Sequence, residues 1–307
     1  MRIDERIAAD AQPSFSFEFF PPRTAAGEEN LAAALEELSA LEPTFASVTY
    51  GAGGSPAEKV KTIDIVSNMR EQHGLEAMAH FTCVGATVDE LRSTLDLMRD
   101  RGVENVLALR GDPPPGEDEW TATEGGLRYS RELIELIRDD YDFAIGAACF
   151  PEVHIHAADA ESDLRYTKEK VDAGARFLIC QVFFDNRYYY EYVARAREIG
   201  IDVPILPGIM PITNSRQIQK ITSLCGSEIP ERLAHELELR ADEPEAATDF
   251  GVAYATLQCA DLLTSGAPGI HFYTLNRSPA TRAILSALRT MSPWDAQPAG
   301  GASMSSA

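Results

Sequence analysis

The stretch FSFEFF, residues 15–20, decides how this chain is read. Side chains alternate across a strand, so Phe15, Phe17 and Phe19 share one face while Ser16 and Glu18 share the other. Three large apolar rings on one face belong against helices. The other face carries a carboxyl inside an otherwise apolar run, and burying it without a purpose costs several kcal/mol. Glu18 is therefore expected to face a barrel interior and to carry function.

Working outward, seven further apolar runs repeat the pattern: TFASVTY (44–50), EAMAHFTC (76–83), ENVLALR (104–110), FAIGAACF (143–150), FLICQVFF (177–184), VPILPGI (203–209) and GIHFYTL (269–275). Segments of helical period lie between them, several closed by Gly102, Gly174 or Gly200 after a charged last turn. Markers near the run ends, Glu18, Thr49, His80, Asp112, Phe150, Gln181, Gly208 and Tyr273, are separated by 31, 31, 32, 38, 31, 27 and 65 residues. Eight strand–helix units of this length predict an α/β protein, a (β/α)8 TIM barrel. The long last interval predicts extra helices inserted before strand eight, around 229–241 and 243–265. A single catalytic domain over 1–290 is expected, followed by a disordered tail over 291–307 that is rich in Ala, Gly, Ser and Pro.

Composition narrows the function classes. The 307 residues are 45% hydrophobic and 24% charged, enough for a large core. No apolar run approaches the ~20 residues of a membrane span, and MRIDERIAADAQPS lacks the apolar region of a signal peptide. A cytoplasmic protein without a membrane partner is expected. The formal charge of −21 repels phosphate backbones and argues against nucleic-acid binding. Only Lys59, Lys61, Lys168, Lys170 and Lys220 are lysines, a bias that fits either an Arg-favouring genome or adaptation of an acidic surface to salt. Cys83, Cys149, Cys180, Cys225 and Cys259 show no CxxC spacing and read as reduced, inert thiols.

Parity applied to other runs aligns Phe45, Ser47 and Thr49; Met78, His80 and Thr82; and Ile179, Gln181 and Phe183. Arg110, Gly111 and Asp112 close the fourth run. Each has a structural alternative: a solvated turn for the Arg-Gly-Asp triplet, a satisfied core histidine for His80, a carbonyl cap for Gln181. Their shared place at strand ends, where barrel enzymes keep their active sites, favours a ligand site. His154 and His156 have metal-pair spacing but no third ligand nearby, so no metal is expected. Gly51-Ala52-Gly53-Gly54-Ser55 sits as a phosphate loop does but lacks its spacing, and a permissive turn explains it equally well.

Taken together, SFEFFPPRT (16–24), ASVTYGAGG (46–54), HFTC (80–83), ALRGDPP (108–114), PEVH (151–154), KEKVDAGA (168–175), QVFFD (181–185), PGIMPITN (207–214) and HFYTLNR (271–277) resemble the methylenetetrahydrofolate reductase family, in order from about residue 14 to 290. The resemblance is to the bacterial type, a catalytic barrel alone. It implies FAD-dependent reduction of 5,10-methylenetetrahydrofolate to 5-methyltetrahydrofolate with NADH or NADPH, in one-carbon metabolism and methionine supply, by a homo-oligomer. A flavin-independent reductase and a non-catalytic folate- or flavin-binding barrel are the alternatives.

The resemblance also implies roles. Glu18 matches the general acid that protonates folate N10, for which an apolar setting from the neighbouring phenylalanines is expected. Asp112 matches a carboxylate at the pterin and flavin, Gln181 an amide shared by pterin and nicotinamide, and Gln217 and Arg277 further folate contacts. Thr49, Tyr50, Ala52, His80, Arg110, Gly111, Tyr129, Ser130, His154, Ala157, Asp163 and Lys170 fall on flavin-contacting positions. Arg110 and Lys170 suit a pyrophosphate, and Asp163 suits ribose or ribityl hydroxyls. Phe150 also lies at a flavin position, where bacterial relatives often have Tyr. Tyr166, Glu169 and Ile221 are further departures from the family pattern.

Overall fold

A computed structural model describes residues 2–50, 56–112 and 122–295, with the side chains of 56–58 and 215–217 left aside. The first strand, β1 (Ser14–Phe19), follows a short helix, α1 (Ile3–Ala9). Alternation then runs α2 (Ala25–Ser39), β2 (Phe45–Val48), α3 (Pro56–His73), β3 (Ala77–Thr82), α4 (Val88–Asp100), β4 (Asn105–Leu109), α5 (Ser130–Asp140), β5 (Ala144–Cys149), α6 (Ala160–Ala173), β6 (Phe177–Cys180) and α7 (Asn186–Glu198). The seventh run is two short strands, β7 (Ile205–Leu206) and β8 (Gly208–Ile209). Three helices follow, α8 (Ser215–Cys225), α9 (Glu231–Glu238) and α10 (Pro244–Thr264), before β9 (Gly269–Tyr273) and α11 (Pro279–Met291).

The nine strands pair in parallel throughout, in the order β7-β6-β5-β4-β3-β2-β1-β9-β8. The two ends of that order are halves of one segment, so the ring closes through Pro207. A proline has no N–H to give a ladder, which breaks the strand there, but its carbonyl still accepts from His271 N at 2.9 Å. The eight expected runs are thus eight staves of a TIM barrel, one of them split. Closure also demands glycine at 208: a Cβ there would strike the Cys180 carbonyl and the Tyr273 ring.

Parity sorts the core as the first run predicts. Phe15, Phe17 and Phe19 join the layer between strands and helices. Inside the barrel, Phe45, Met78, Leu107, Phe177, Ile179 and Leu206 pack with Ile3 and Ile7 of α1. Burying each such side chain contributes about 1.5–3 kcal/mol. Helix α1 therefore plugs the N-terminal end, held by Ile3 N donating to Asn105 Oδ1 at 2.8 Å and Arg6 Nη1 donating to the Thr44 carbonyl at 2.9 Å. Nothing in the periodicity of the first ten residues announces that role.

The extra helices lie where the long interval places them, as α9 and α10. The ordered chain also runs past residue 290: Pro293–Asp295 form a 3-10 turn, and Trp294 packs edge-on against Phe15 with centroids 5.8 Å apart. That apolar anchor corrects the expected start of the tail, because an indole on a core phenylalanine leaves its segment no reason to detach.

Candidate active site

The C-terminal mouth of the barrel collects polar side chains that the interior cannot. The β1–β9 register sets Ser16 opposite His271 and Glu18 opposite Tyr273. Glu18, with 16% of its side chain exposed, places Oε2 at 3.4 Å from His271 Nε2 and 3.3 Å from His80 Nε2. The expected phenylalanine surroundings are absent, since alternation sends Phe17 and Phe19 to the opposite face. Two imidazoles flank the carboxyl instead. Burial holds His80 below the usual histidine range, with Glu18 pulling the other way, so its ring is neutral near pH 7. Its Nε2 is buried without a hydrogen bond among the described residues.

The turn after β9 buttresses this carboxyl. Thr274 donates its hydroxyl to the Glu18 carbonyl at 2.6 Å. Leu275 and Asn276 follow with φ of 53° and 56°, a left-handed conformation that costs a non-glycine residue about 1–3 kcal/mol. Reciprocal bonds between Asn276 and the Phe20 backbone, at 3.0 and 2.8 Å, hold it in place. The turn delivers Arg277 to the surface, its N–H donating to the Thr274 carbonyl at 3.0 Å.

A second group forms across β4, β5 and α6. Gly111 has φ of 92°, and a Cβ there would run into Val84, so only glycine fits between Arg110 and Asp112. Arg110 Nε donates to the Gly111 carbonyl at 3.2 Å, and Asp112 is exposed. Lys170 reaches from α6 to the Ala148 carbonyl at 2.6 Å and lies over the Phe150 ring. His154 meets that ring edge-on at 4.5 Å. Burial first, then Arg110, His156 and Lys170, push the His154 imidazole down to about 4. Asp163 accepts from His154 N at 3.4 Å; burial raises it while Lys170 pulls it down. Ala157 N closes the turn on the His154 carbonyl at 2.8 Å.

The His154–His156 pair is spoken for: His156 N donates to His154 Nδ1 at 3.0 Å. Among the described residues no three His, Cys, Asp or Glu side chains converge as a metal site.

Other expected residues are more scattered. Thr49 follows β2 on the inward side, whereas Tyr50 turns into the outer layer against Phe81 and buries a hydroxyl that has no partner among the described residues. Gln181 shares the inward parity but folds back to accept from Val182 N at 2.9 Å. Tyr129, 54% exposed, and Ser130 start α5, where Glu132 accepts from Tyr129 N at 3.3 Å. Ala52 lies outside the described residues, as does the side chain of Gln217 on α8.

Parity on the eighth run marks His271 with Tyr273, although only the latter served as a spacing marker. Glu152 and Cys225 had no such signal. Glu152 accepts from Glu228 N at 2.8 Å, and burial, reinforced by Glu228 and Asp185, pushes its carboxyl up to about 7. Cys225, at the end of α8, is raised by burial and by the charges of Asp112 and Glu18, which brings that helix end near both halves of the mouth.

The mouth thus offers two cations, the neutral imidazoles of His80 and His154, and a buried His80 nitrogen without a hydrogen bond among the described residues. That set fits a ring-bearing anionic cofactor such as a flavin nucleotide.

The methylenetetrahydrofolate reductase family model matches residues 2–289. The Arabidopsis thaliana protein named methylenetetrahydrofolate reductase (NADH) 1 is 39% identical over 299 residues, 93% of this chain and 50% of that protein. The Escherichia coli 5,10-methylenetetrahydrofolate reductase is 39% identical over 273 residues, 89% of this chain and 90% of that one. The chain therefore spans about half the length of the plant relatives. A solved Clostridium thermocellum protein, described as binding two copies of 5-methyl-5,6,7,8-tetrahydrofolic acid, shares the fold with a TM-score of 0.62 at 15% identity, over 94% of this chain and 98% of its own.

Proposed function

The chain belongs to the methylenetetrahydrofolate reductase family, and on that premise we propose that it reduces 5,10-methylenetetrahydrofolate to 5-methyltetrahydrofolate, with NADH or NADPH as hydride donor and FAD as bound cofactor. The observation that carries the reading is the Glu18 carboxyl, set between His80 and His271 at the mouth of the barrel. A barrel that only bound folate or flavin would need no ionisable group at that point.

Bound at the mouth, the flavin supplies a hydride relay between nicotinamide and folate. The protein's part is to hold reactants and move one proton. Glu18 donates that proton to N10 of the folate, the bond between N10 and the bridging carbon breaks, and the carbon left on N5 becomes the hydride acceptor. Glu18 then recovers a proton from solvent. Asp112 and Gln181 orient the pterin, Gln181 by swinging out of its bond to Val182 N. Arg277, exposed beyond β9, suits the glutamate carboxylate of the substrate, with Gln217 as a further contact.

Arg110 and Lys170 would hold the cofactor's pyrophosphate, Asp163 its hydroxyls, and His154, neutral at pH 7, its ring system without adding charge. Phe150 offers a ring face there but no hydroxyl. Thr49, Tyr50, Ala52, His80, Gly111, Tyr129, Ser130 and Ala157 complete the proposed flavin surroundings. No helix among the described residues is long and apolar enough to cross a membrane. A cytoplasmic homo-oligomer belongs to the same reading.

The test is absorbance of NADH, and separately NADPH, on adding methylenetetrahydrofolate to purified protein whose visible spectrum has been recorded. A yellow protein that consumes the nucleotide only with folate present is expected. A yellow protein without turnover is a binding barrel, and a colourless one with turnover transfers hydride directly.

A further inference from the structure

His271 is wholly buried, and its ring is held on every side. Nδ1 lies 2.8 Å from Ser16 Oγ and Nε2 lies 3.4 Å from Glu18 Oε2, at the long end of hydrogen-bond range. One ring face stacks on Phe45, with centroids 6.0 Å apart and planes at 20°, and Tyr273 meets it edge-on at 5.4 Å. Ser16 and Glu18 are two residues apart on the inward face of β1, about 6.6 Å along the strand, a gap that one imidazole spans between its nitrogens.

Counting hydrogens assigns the tautomer. Ser16 is wholly buried, and Nδ1 of His271 is the one hydrogen-bond partner of its hydroxyl among the described residues. A buried hydroxyl hydrogen needs an acceptor. It has one only if Nδ1 is bare. Nε2 then carries the ring's hydrogen and donates it to Glu18 Oε2. A ring protonated at Nδ1, singly or together with Nε2, leaves the Ser16 hydrogen facing another donor.

This has a consequence for Glu18. An oxygen that accepts from an N–H does not bear the acid hydrogen on that side, because the two hydrogens would meet. His80 approaches the same oxygen, with Nε2 at 3.3 Å from Oε2. The bond from His271 thus occupies Oε2, the oxygen that also faces His80, and leaves Oε1. We propose that His271, anchored by Ser16, is a positioning residue that confines the transferable proton of Glu18 to Oε1 and fixes the rotation of its carboxyl. The role in turnover rests on the reading of Glu18 as the acid that serves folate N10.

Three substitutions and one spectrum test it. His271→Phe keeps a ring against Phe45 and Tyr273 and removes both nitrogens. It should lower kcat for folate-dependent NADH oxidation about 10–100-fold, a part of what general acid catalysis is worth, with KM for folate within about threefold. His271→Gln places an amide N–H near the position of Nε2 and should recover most of the loss. Ser16→Ala should fall between, since the ring keeps its place but loses its tautomer bias. A His271→Phe enzyme with unchanged kcat, or a His271→Gln enzyme no better than it, overturns the role.

The tautomer is read without turnover, from 15N chemical shifts of histidine-labelled protein, with His271 assigned by its absence in the His271→Gln spectrum. A protonated Nε2 and a bare Nδ1 are expected, with that bias lost in Ser16→Ala. A protonated Nδ1 overturns the assignment even if His271→Phe fails to fold. If the parent protein shows no folate-dependent NADH oxidation, the functional reading falls, and the nitrogen shifts still decide the tautomer by themselves.

Discussion

Lys170 sends its ammonium from α6 to the carbonyl oxygen of Ala148 at 2.6 Å, at the end of β5. The contact draws a cation inward to the barrel rim, where burial pulls its proton affinity down while Cys149 and Asp163 act the other way. A charge held there, with one backbone carbonyl as its hydrogen-bond partner among the described residues, is suited to a further anionic partner.

Arg110→Ala and Lys170→Met should each weaken FAD. Charge-assisted hydrogen bonds are worth about 1.5–3 kcal/mol, or about 10–100-fold in dissociation constant. Titration of flavin-free protein, followed by quenching of flavin fluorescence, measures it. Unchanged affinity in both variants would move the pyrophosphate elsewhere.

Glu18→Gln keeps the shape of the side chain and removes the acid. NADH oxidation linked to folate should fall at least about a hundredfold, the low end of what general acid catalysis supplies. NADH oxidation linked to a quinone acceptor needs no proton at folate N10 and should stay near the parental rate. Equal loss of both activities would make Glu18 structural.

Glu152 predicts a pH effect on stability. Its folded carboxyl is pushed up to about 7 from an ordinary 4.5, so the folded state keeps a proton that the unfolded chain releases. The stability tied to that proton is complete below about pH 4.5 and is lost as pH rises through about 7. Glu152→Gln cannot ionise and keeps an acceptor for Glu228 N. Thermal melts should therefore show the variant gaining on the parent between pH 4 and pH 8. A constant difference across that range would mean that Glu152 ionises alike in both states.

Salt should stabilise the protein if self-repulsion of the −21 charge is significant. A Tm that rises from low to high salt is the expected outcome. A flat or falling series assigns the shortage of lysine to codon usage alone.

Sequence by itself determined the barrel and much of its mouth. Alternation in FSFEFF separates Glu18 from the phenylalanines, and a period near 31 residues sets eight strand–helix units, because both patterns are local. The α9 and α10 insertion followed from chain length alone. Tertiary structure decided what alternation cannot express, namely which side chains meet across strands that are far apart in the chain. Glu18 and His271 are 253 residues apart and meet only because closure brings β9 beside β1. The same closure put imidazoles around the carboxyl where phenylalanines were expected. Helix α1 became the plug of the barrel and Trp294 a partner of Phe15 for a like reason: each fills an apolar gap that exists only once the ring has closed.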